Sequence, residues 1–223
     1  MQPSAIPEFN YTPPHAPWFS VLHADDHILV LDKPSGLLSV PGKAAEHQDC
    51  LEARVKAQYS AARPVHRLDM DTSGVCIMGL TADAHRNLSM QFQRRKTAKT
   101  YIARVQGGLP APEGEVDLPL ICDWPNRPRQ MVNHDKGRTA LTRWQVAEEN
   151  EGITRVLLFP VTGRSHQLRV HMQALGCPIL GDRFYAPDAV RDAAPRLQLH
   201  ALHLTVHHPA DGQRVTFSSA SPF

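Results

Sequence analysis

The 223 residues are 42% apolar with a formal charge of +2, enough for one full hydrophobic core and too little net charge to point by itself to a nucleic-acid partner. No run of eighteen apolar residues occurs, and the start MQPSAIPEFNYTPPHAPW has no basic segment followed by an apolar one, which argues against a membrane span or signal peptide and predicts a cytoplasmic protein. Cys50, Cys76, Cys122 and Cys177 are dispersed and form no CxxC pair, which argues against a disulfide framework or a cysteine zinc knuckle.

Residues 1–18 hold five prolines and no period, and read as an irregular arm ahead of a single domain over 19–223. His27–Asp32 is a buried strand ended by a turn at Lys33–Gly36, and residues Cys50 to Ala62 favour a helix stopped by Pro64. Val75–Leu80 has strand length, and Thr81 to Lys96 is a helix with Thr81 as N-cap. Tyr101–Val105 alternates as a strand. Residues Leu118 to Lys136 carry three prolines and are expected to be an exposed, ordered loop. Ala140–Ala147 and Thr154–Pro160 read as paired strands joined by the acidic turn Glu148–Gly152. Leu168, Met172 and Leu175 fall at i, i+4 and i+7 and predict a helix from Arg164 to Leu175, with Gly176 as its stop. Leu199–His207 and Arg214–Ser218 complete the strands. Strands and helices interleave without a βαβ rhythm, which favours an α+β fold.

Charge is distributed unevenly. Between Ala84 and Pro112 there is no Asp or Glu, whereas Arg86, Arg94, Arg95, Lys96, Lys99 and Arg104 are all present, a field suited to phosphates or simply a solvated basic face. The densest chemistry is in His66-Arg-Leu-Asp-Met-Asp-Thr-Ser-Gly74, with two carboxylates and two hydroxyls just before a buried strand. Asp69 beside Arg67 is favoured in its charged form and could serve as nucleophile or base; it could equally be a turn residue bonding amides near Thr72.

His66-Arg-Leu-Asp69 followed by Thr72-Ser-Gly74 resembles the HRLDxxTSG signature of the RluA family of pseudouridine synthases. Lys33–Gly42 resembles the first motif of that family, Lys99-Thr-Tyr-Ile-Ala103 its tyrosine-bearing stretch, and Thr162-Gly-Arg-Ser-His-Gln-Leu-Arg-Val-His171 its third motif, in the expected order. The resemblance implies a mixed, largely antiparallel central sheet flanked by helices and loops, and there is no room for an S4 domain before Phe19. It implies uridine isomerisation in structured RNA, without cofactor or metal, by a protein expected to be monomeric. The loop Leu118–Pro128 resembles that of a dual-specificity member acting on a 23S rRNA hairpin and a tRNA anticodon stem-loop. Carried over residue by residue, Asp69 is the nucleophile, Arg169 the arginine that pairs with it, and Tyr101 the tyrosine that packs on the target base. Arg67 is the side chain that replaces the flipped base; His66, Thr72, Ser73, Arg164 and His166 are RNA-contact candidates.

Two rivals follow from the same residues. Asp69-Met-Asp71-Thr72 superficially matches the DxDxT motif of metal-dependent haloacid-dehalogenase-type phosphohydrolases, with Gly181-Asp182 and Asp188 as a possible metal site, although that motif should end an apolar strand. A non-catalytic RNA-binding module would also use the basic span. Of the thirteen histidines, His200 and His203 lie on opposite faces of a strand and form no ready chelate. Trp18, Trp124 and Trp144 read as core or loop anchors, with Trp124 able to reach RNA.

Overall fold

A computed structural model describes residues 11–223. In chain order its elements are β1 (Ser20–Ala24), β2 (Ile28–Lys33), α1 (Leu51–Lys56), β3 (Arg63–Pro64), β4 (Ser73–Gly79), α2 (Ala82–Gln93), β5 (Ala98–Gln106), β6 (Glu113–Asp117), β7 (Leu120–Cys122), β8 (Gln130–Val132), β9 (Leu141–Asn150), β10 (Ile153–Pro160), α3 (Gln167–Ala174), α4 (Asp188–Arg191), β11 (Leu199–His207) and β12 (Arg214–Ser218). They form two compact units, one of residues 11–99 with 200–223 and the other Thr100–Leu199.

In the first unit β2 lies between β1 and β4, both antiparallel to it, and β3 adds to β4 through Arg63 and Pro64. The start of β11 runs parallel to β4 (His200 opposite Ser73, Ala201 opposite Gly74), and β12 closes antiparallel on β11. α2 starts at Thr81, whose hydroxyl accepts the Ala84 N–H at 3.1 Å. Its Leu88 packs with Ile28, Val30, Val75, Ile77, Leu204 and Val206 in one apolar cluster. β2 and β4 are buried nearly throughout, which explains their unbroken apolar runs. Of the expected arm, residues 1–10 lie outside the described residues. Residues 11–18 form no helix or strand but are anchored: Tyr11 Oη donates to Asp49 O (2.7 Å) and accepts the Leu38 N–H (3.0 Å), and Arg54 lies 4.2 Å over the Trp18 ring.

The second unit is built on the antiparallel set β5–β10–β9–β6, backed by α3. Ala103, Val105, Val116, Trp144, Val156 and Leu158 pack on Leu168 and Met172 of α3 with Ile179, Leu197 and Leu199.

Besides α2, which ends at Gln93, and β5, which starts at Ala98, four boundaries differ from expectation for local reasons. α1 ends at Lys56 rather than Ala62, because the chain must turn at Gln58–Ala62 to pair Arg63 and Pro64 with β4. The 118–136 segment is a short hairpin, β7 with β8, and only its tip stays irregular and exposed. The acidic residues Glu148–Asn150 extend β9, leaving a two-residue turn at Glu151–Gly152 with both φ positive (50° and 75°), which matches the twist of the flanking strands. α3 starts three residues late, at Gln167, since residues 163–166 form a turn that Gln167 itself closes. β1, β3, β6 and α4 have no counterpart in the sequence reading.

Candidate active site

The Asp69 loop is held from outside by the Lys33–Ser39 segment. Ser39 Oγ donates to Leu68 O (2.6 Å) and accepts the Leu68 N–H (3.1 Å); Gly36 N–H reaches Met70 O (2.9 Å), and Ser35 Oγ donates to Asp71 O (2.6 Å). The ammonium of Lys33 is fully buried and donates to Met70 O (2.8 Å), Leu37 O (2.7 Å) and Pro34 O (2.9 Å), which uses its three N–H groups and ties the two loops together. Every neighbour of Asp69 from Leu68 to Asp71 is thus pinned by main-chain contacts. The bend is closed through the main chain, Thr72 N–H to Asp69 O at 3.1 Å. Asp69 is half-buried, and Arg67 is exposed.

The residues that follow lock this loop to the sheet. Gly74 has φ +110°, and a Cβ there would meet Ala201 O at 2.3 Å, so only glycine lets β4 and β11 approach. Buried Ser73 Oγ pairs with His200 Nδ1 at 2.9 Å, and His200 Nε2 with Ser219 O at 3.1 Å; the carbonyl requires Nε2–H, so in the neutral ring Nδ1 accepts a hydrogen bond from the serine hydroxyl. Thr72 is also buried. His66 stacks on Phe92 (centroids 4.5 Å, interplanar 15°), and its Nε2 accepts the Ile77 N–H at 3.1 Å. Burial of the imidazole, with Lys99 nearby, pushes its pKa down to about 3, so the ring is neutral. Lys99 is itself lowered to about 8 by burial and by Arg95. The exposed Arg94, Arg95 and Lys96 follow the C-terminus of α2, where the helix dipole favours cations.

In the other unit, Tyr101 is half-buried on β5, opposite Leu158 of β10, and packs against the core. Arg169 on α3 is buried, and it grips Asp182 bidentately: Nε to Oδ2 at 2.7 Å and Nη2 to Oδ1 at 2.6 Å, with the two side chains 2% and 1% exposed. Burial alone would raise the Asp182 carboxyl, but Arg169 and the amides of Phe184 and Tyr185 outweigh it and hold the pKa below the ordinary value. The grip fixes the plane of the guanidinium, which also lies 5.2 and 5.1 Å from the Phe184 and Tyr185 rings.

Around Arg169 the third motif is a docking network. Gln167 Oε1 accepts from Thr162 Oγ1 (2.7 Å) and Arg164 N (3.0 Å), while its Nε2 donates to Leu141 O and Thr142 Oγ1 (3.0 Å each). His171 bridges Thr142 Oγ1 (2.9 Å) and Leu118 O (3.1 Å), and burial lowers its pKa. Arg164 Nε donates to Thr139 O (3.1 Å). His166 adopts φ 53°, rare for a side-chain-bearing residue; its Nδ1 lies 2.7 Å from Tyr185 Oη, and its ring stacks on Phe184 at 5.8 Å.

Residues 27–174 match the family model described as RNA pseudouridylate synthase. The chain belongs to this family. Among the relatives of this synthase, the dual-specificity RNA pseudouridine synthase RluA of Escherichia coli strain K12 is 55% identical over 215 residues, covering 96% of this chain and 98% of the relative. The same-named protein of Pasteurella multocida is 50% identical over the same shares. The solved structure of human RNA pseudouridylate synthase domain containing 1 superposes with a TM-score of 0.76 and 26% identity, covering 100% of this chain and 87% of that one. The synthase has the family's α+β fold and isomerises uridine to pseudouridine in RNA.

The phosphohydrolase reading fails on the geometry as well. Asp69–Thr72 precedes β4 instead of ending a strand, and the Asp182 carboxylate is taken up by Arg169 and two amides, which leaves it unsuited to hold a metal. No helix among the described residues is long and apolar enough to cross a membrane.

The sequence reading missed Lys33, Ser35 and Ser39 as the clamp on the Asp69 loop, and Gln167, His171, Asp182, Tyr185 and His200 as supports. Asp182 surfaced there only as a rival's metal ligand. The available signal was that polar residues with full hydrogen-bonding capacity sat inside apolar stretches, as Lys33 does at the end of β2.

Proposed function

We propose that this synthase has dual specificity, acting on a 23S rRNA hairpin and a tRNA anticodon stem-loop in the cytoplasm, with Asp69 as the nucleophile. The observation that carries this reading is the 55% identity across 96% of the chain to relatives named for that dual specificity. The Leu68–Asp71 clamp supports the role of Asp69, because a nucleophile is efficient only when its carboxylate is pre-positioned. The reaction breaks the C1′–N1 bond, turns the uracil and forms a C1′–C5 bond; the C5 proton is lost and N1 gains one, so nothing is oxidised and no water is consumed. Asp69 supplies the attacking carboxylate. Tyr101 is assigned to pack on the target base and Arg169 to complement the aspartate, both through the family motifs.

A base inside RNA must leave its stack to react, at a cost of a few kcal/mol. Arg67, exposed two residues before Asp69, is assigned through the family motif to fill the vacated position with its planar guanidinium. Thr72, Ser73 and His66 then act through the loop they hold, and Arg164 and His166 remain candidate RNA contacts on the third motif. Asp69→Asn is expected to keep RNA affinity and to lower product formation by at least about 10³-fold, read by tritium release from C5-labelled uridine. Wild-type turnover by this variant would remove Asp69 from the chemistry. Mapping pseudouridines in total RNA with and without the gene names the targets, and sites in only one RNA class would remove the dual specificity.

A further inference from the structure

The β7–β8 hairpin ends in Asp123-Trp-Pro-Asn-Arg-Pro-Arg129, and its tip is unusual on three counts. Trp124 is 65% exposed, although a side chain of that size is normally well covered. The Arg127 guanidinium sits 4.4 Å over its ring, so the exposed indole is already part of a flat, cationic stack. The tip is also rigid. Asp123 N–H donates to Arg129 O (2.9 Å), Arg129 N–H to Asn126 O (3.0 Å) and Asn126 N–H to Asp123 O (3.0 Å), while Asn126 Nδ2 donates to Asp123 Oδ2 (2.9 Å). Pro125 and Pro128 fix two further φ angles. The aromatic ring is therefore held out in one place, and little ordering is left to be done on contact.

The base of the tip, at Gln130, is fastened to the residues that hold Arg169. Gln130 N–H donates to Tyr185 Oη (2.8 Å), that hydroxyl pairs with His166 Nδ1 (2.7 Å), and Tyr185 N–H donates to Asp182 Oδ1 (3.2 Å), the carboxylate that grips Arg169. A group docked on Trp124 is thereby kept at a fixed reach from Arg169. The segment 122–138 carries four cations, Arg127, Arg129, Lys136 and Arg138, against two carboxylates, Asp123 and Asp135. That excess favours a polyanion over an apolar protein partner.

We propose that Trp124, with Arg127 laid on it, is a stacking platform for an unpaired base of the RNA substrate, one that sets which loops the enzyme accepts. Any base offers a π-face to such a platform, so it selects for unstacked loop nucleotides and not for a particular sequence. The proposal rests on the RNA-substrate reading above and extends it to a surface away from the motifs.

The test uses the full-length protein and an anticodon stem-loop RNA carrying C5-tritiated uridine, with affinity measured separately from turnover. Trp124→Ala should raise Kd and KM by about 5- to 150-fold, the span of one lost base–aromatic stack, and leave kcat at saturating RNA little changed. Trp124→Phe should restore most of the affinity. RNA should quench the indole fluorescence of a Trp18→Phe variant, and adding Trp124→Ala should remove most of that quench, because the remaining Trp144 is buried in the core. Unchanged Kd in the alanine variant, or a change in self-association in place of RNA affinity, would overturn the platform. A wild-type protein that binds the RNA but releases no tritium would instead overturn the substrate assignment, while the Kd comparison still decides the platform.

Discussion

Ser39 illustrates how a single hydroxyl can position the proposed nucleophile, a carboxylate it does not touch. Its Oγ serves as donor and acceptor to the same residue, Leu68, so removing it leaves two main-chain groups unpartnered in a buried setting. Ser39→Ala is expected to cost about 1–3 kcal/mol in urea unfolding. It should also lower kcat with little effect on RNA Kd; a kcat equal to wild type would mean that the loop holds its shape without this clamp. Asp182 raises the stakes. Replacing it with Asn keeps the shape but removes the carboxylate charge from a buried bidentate pair, at an expected cost of about 3–5 kcal/mol. Arg169→Met in the Asp182→Asn background should recover much of that stability but no activity. This double variant separates the structural charge balance from a catalytic need for the arginine.

At the scale of elements, the sequence was most legible where one local rule acted alone. β2, β4, α2 and β11 were placed within a few residues, since extensive burial or a Thr81 cap leaves a direct trace in the residue order. Elements that exist through pairing left none: β3 is two residues long and depends on Met78 and Gly79 opposite, and β6 has one apolar side chain, Val116, among three acids. The same division applies to the site. The HRLDxxTSG stretch could be read directly, but its clamp could not, because Lys33, Ser35 and Ser39 bond it across 37, 36 and 29 residues of chain. Gly74 joins both levels, since its need for glycine comes from the parallel approach of β11. Gly74→Ala combines a strained φ with a contact against a rigid carbonyl and should cost roughly 3 kcal/mol or more. A thermal midpoint within a degree or two of wild type would show that β4 and β11 can separate at that point.

For the whole molecule, the shifted groups make stability depend on pH with one sign on the acid side. The His66 pKa is lowered from 6.5 to about 3, so below pH 6.5 the unfolded chain takes up a proton that the folded protein refuses until about pH 3. Its contribution is therefore present above pH 6.5 and is lost as pH falls through that window. Asp25, Asp49 and Asp182 act in the same direction, their lowered carboxyls losing stability as pH drops below the ordinary carboxylate range. Lys99 acts at the other end. Lowered from 10.5 to about 8, it is protonated in the unfolded chain but not in the folded one between those values, so its contribution makes stability rise with pH there. Urea unfolding between pH 7 and 4.5 reads His66 together with His171, whose pKa burial also lowers, because the carboxylates titrate mostly below that range. The expected slope from one proton is up to about 1.4 kcal/mol per pH unit. His66→Gln keeps an acceptor for the Ile77 amide without a titrating ring and should flatten the slope by that amount. An unchanged slope in this variant would mean that His66 takes up its proton in the folded state as readily as in the unfolded one, and the stacked ring on Phe92 would then have to tolerate charge.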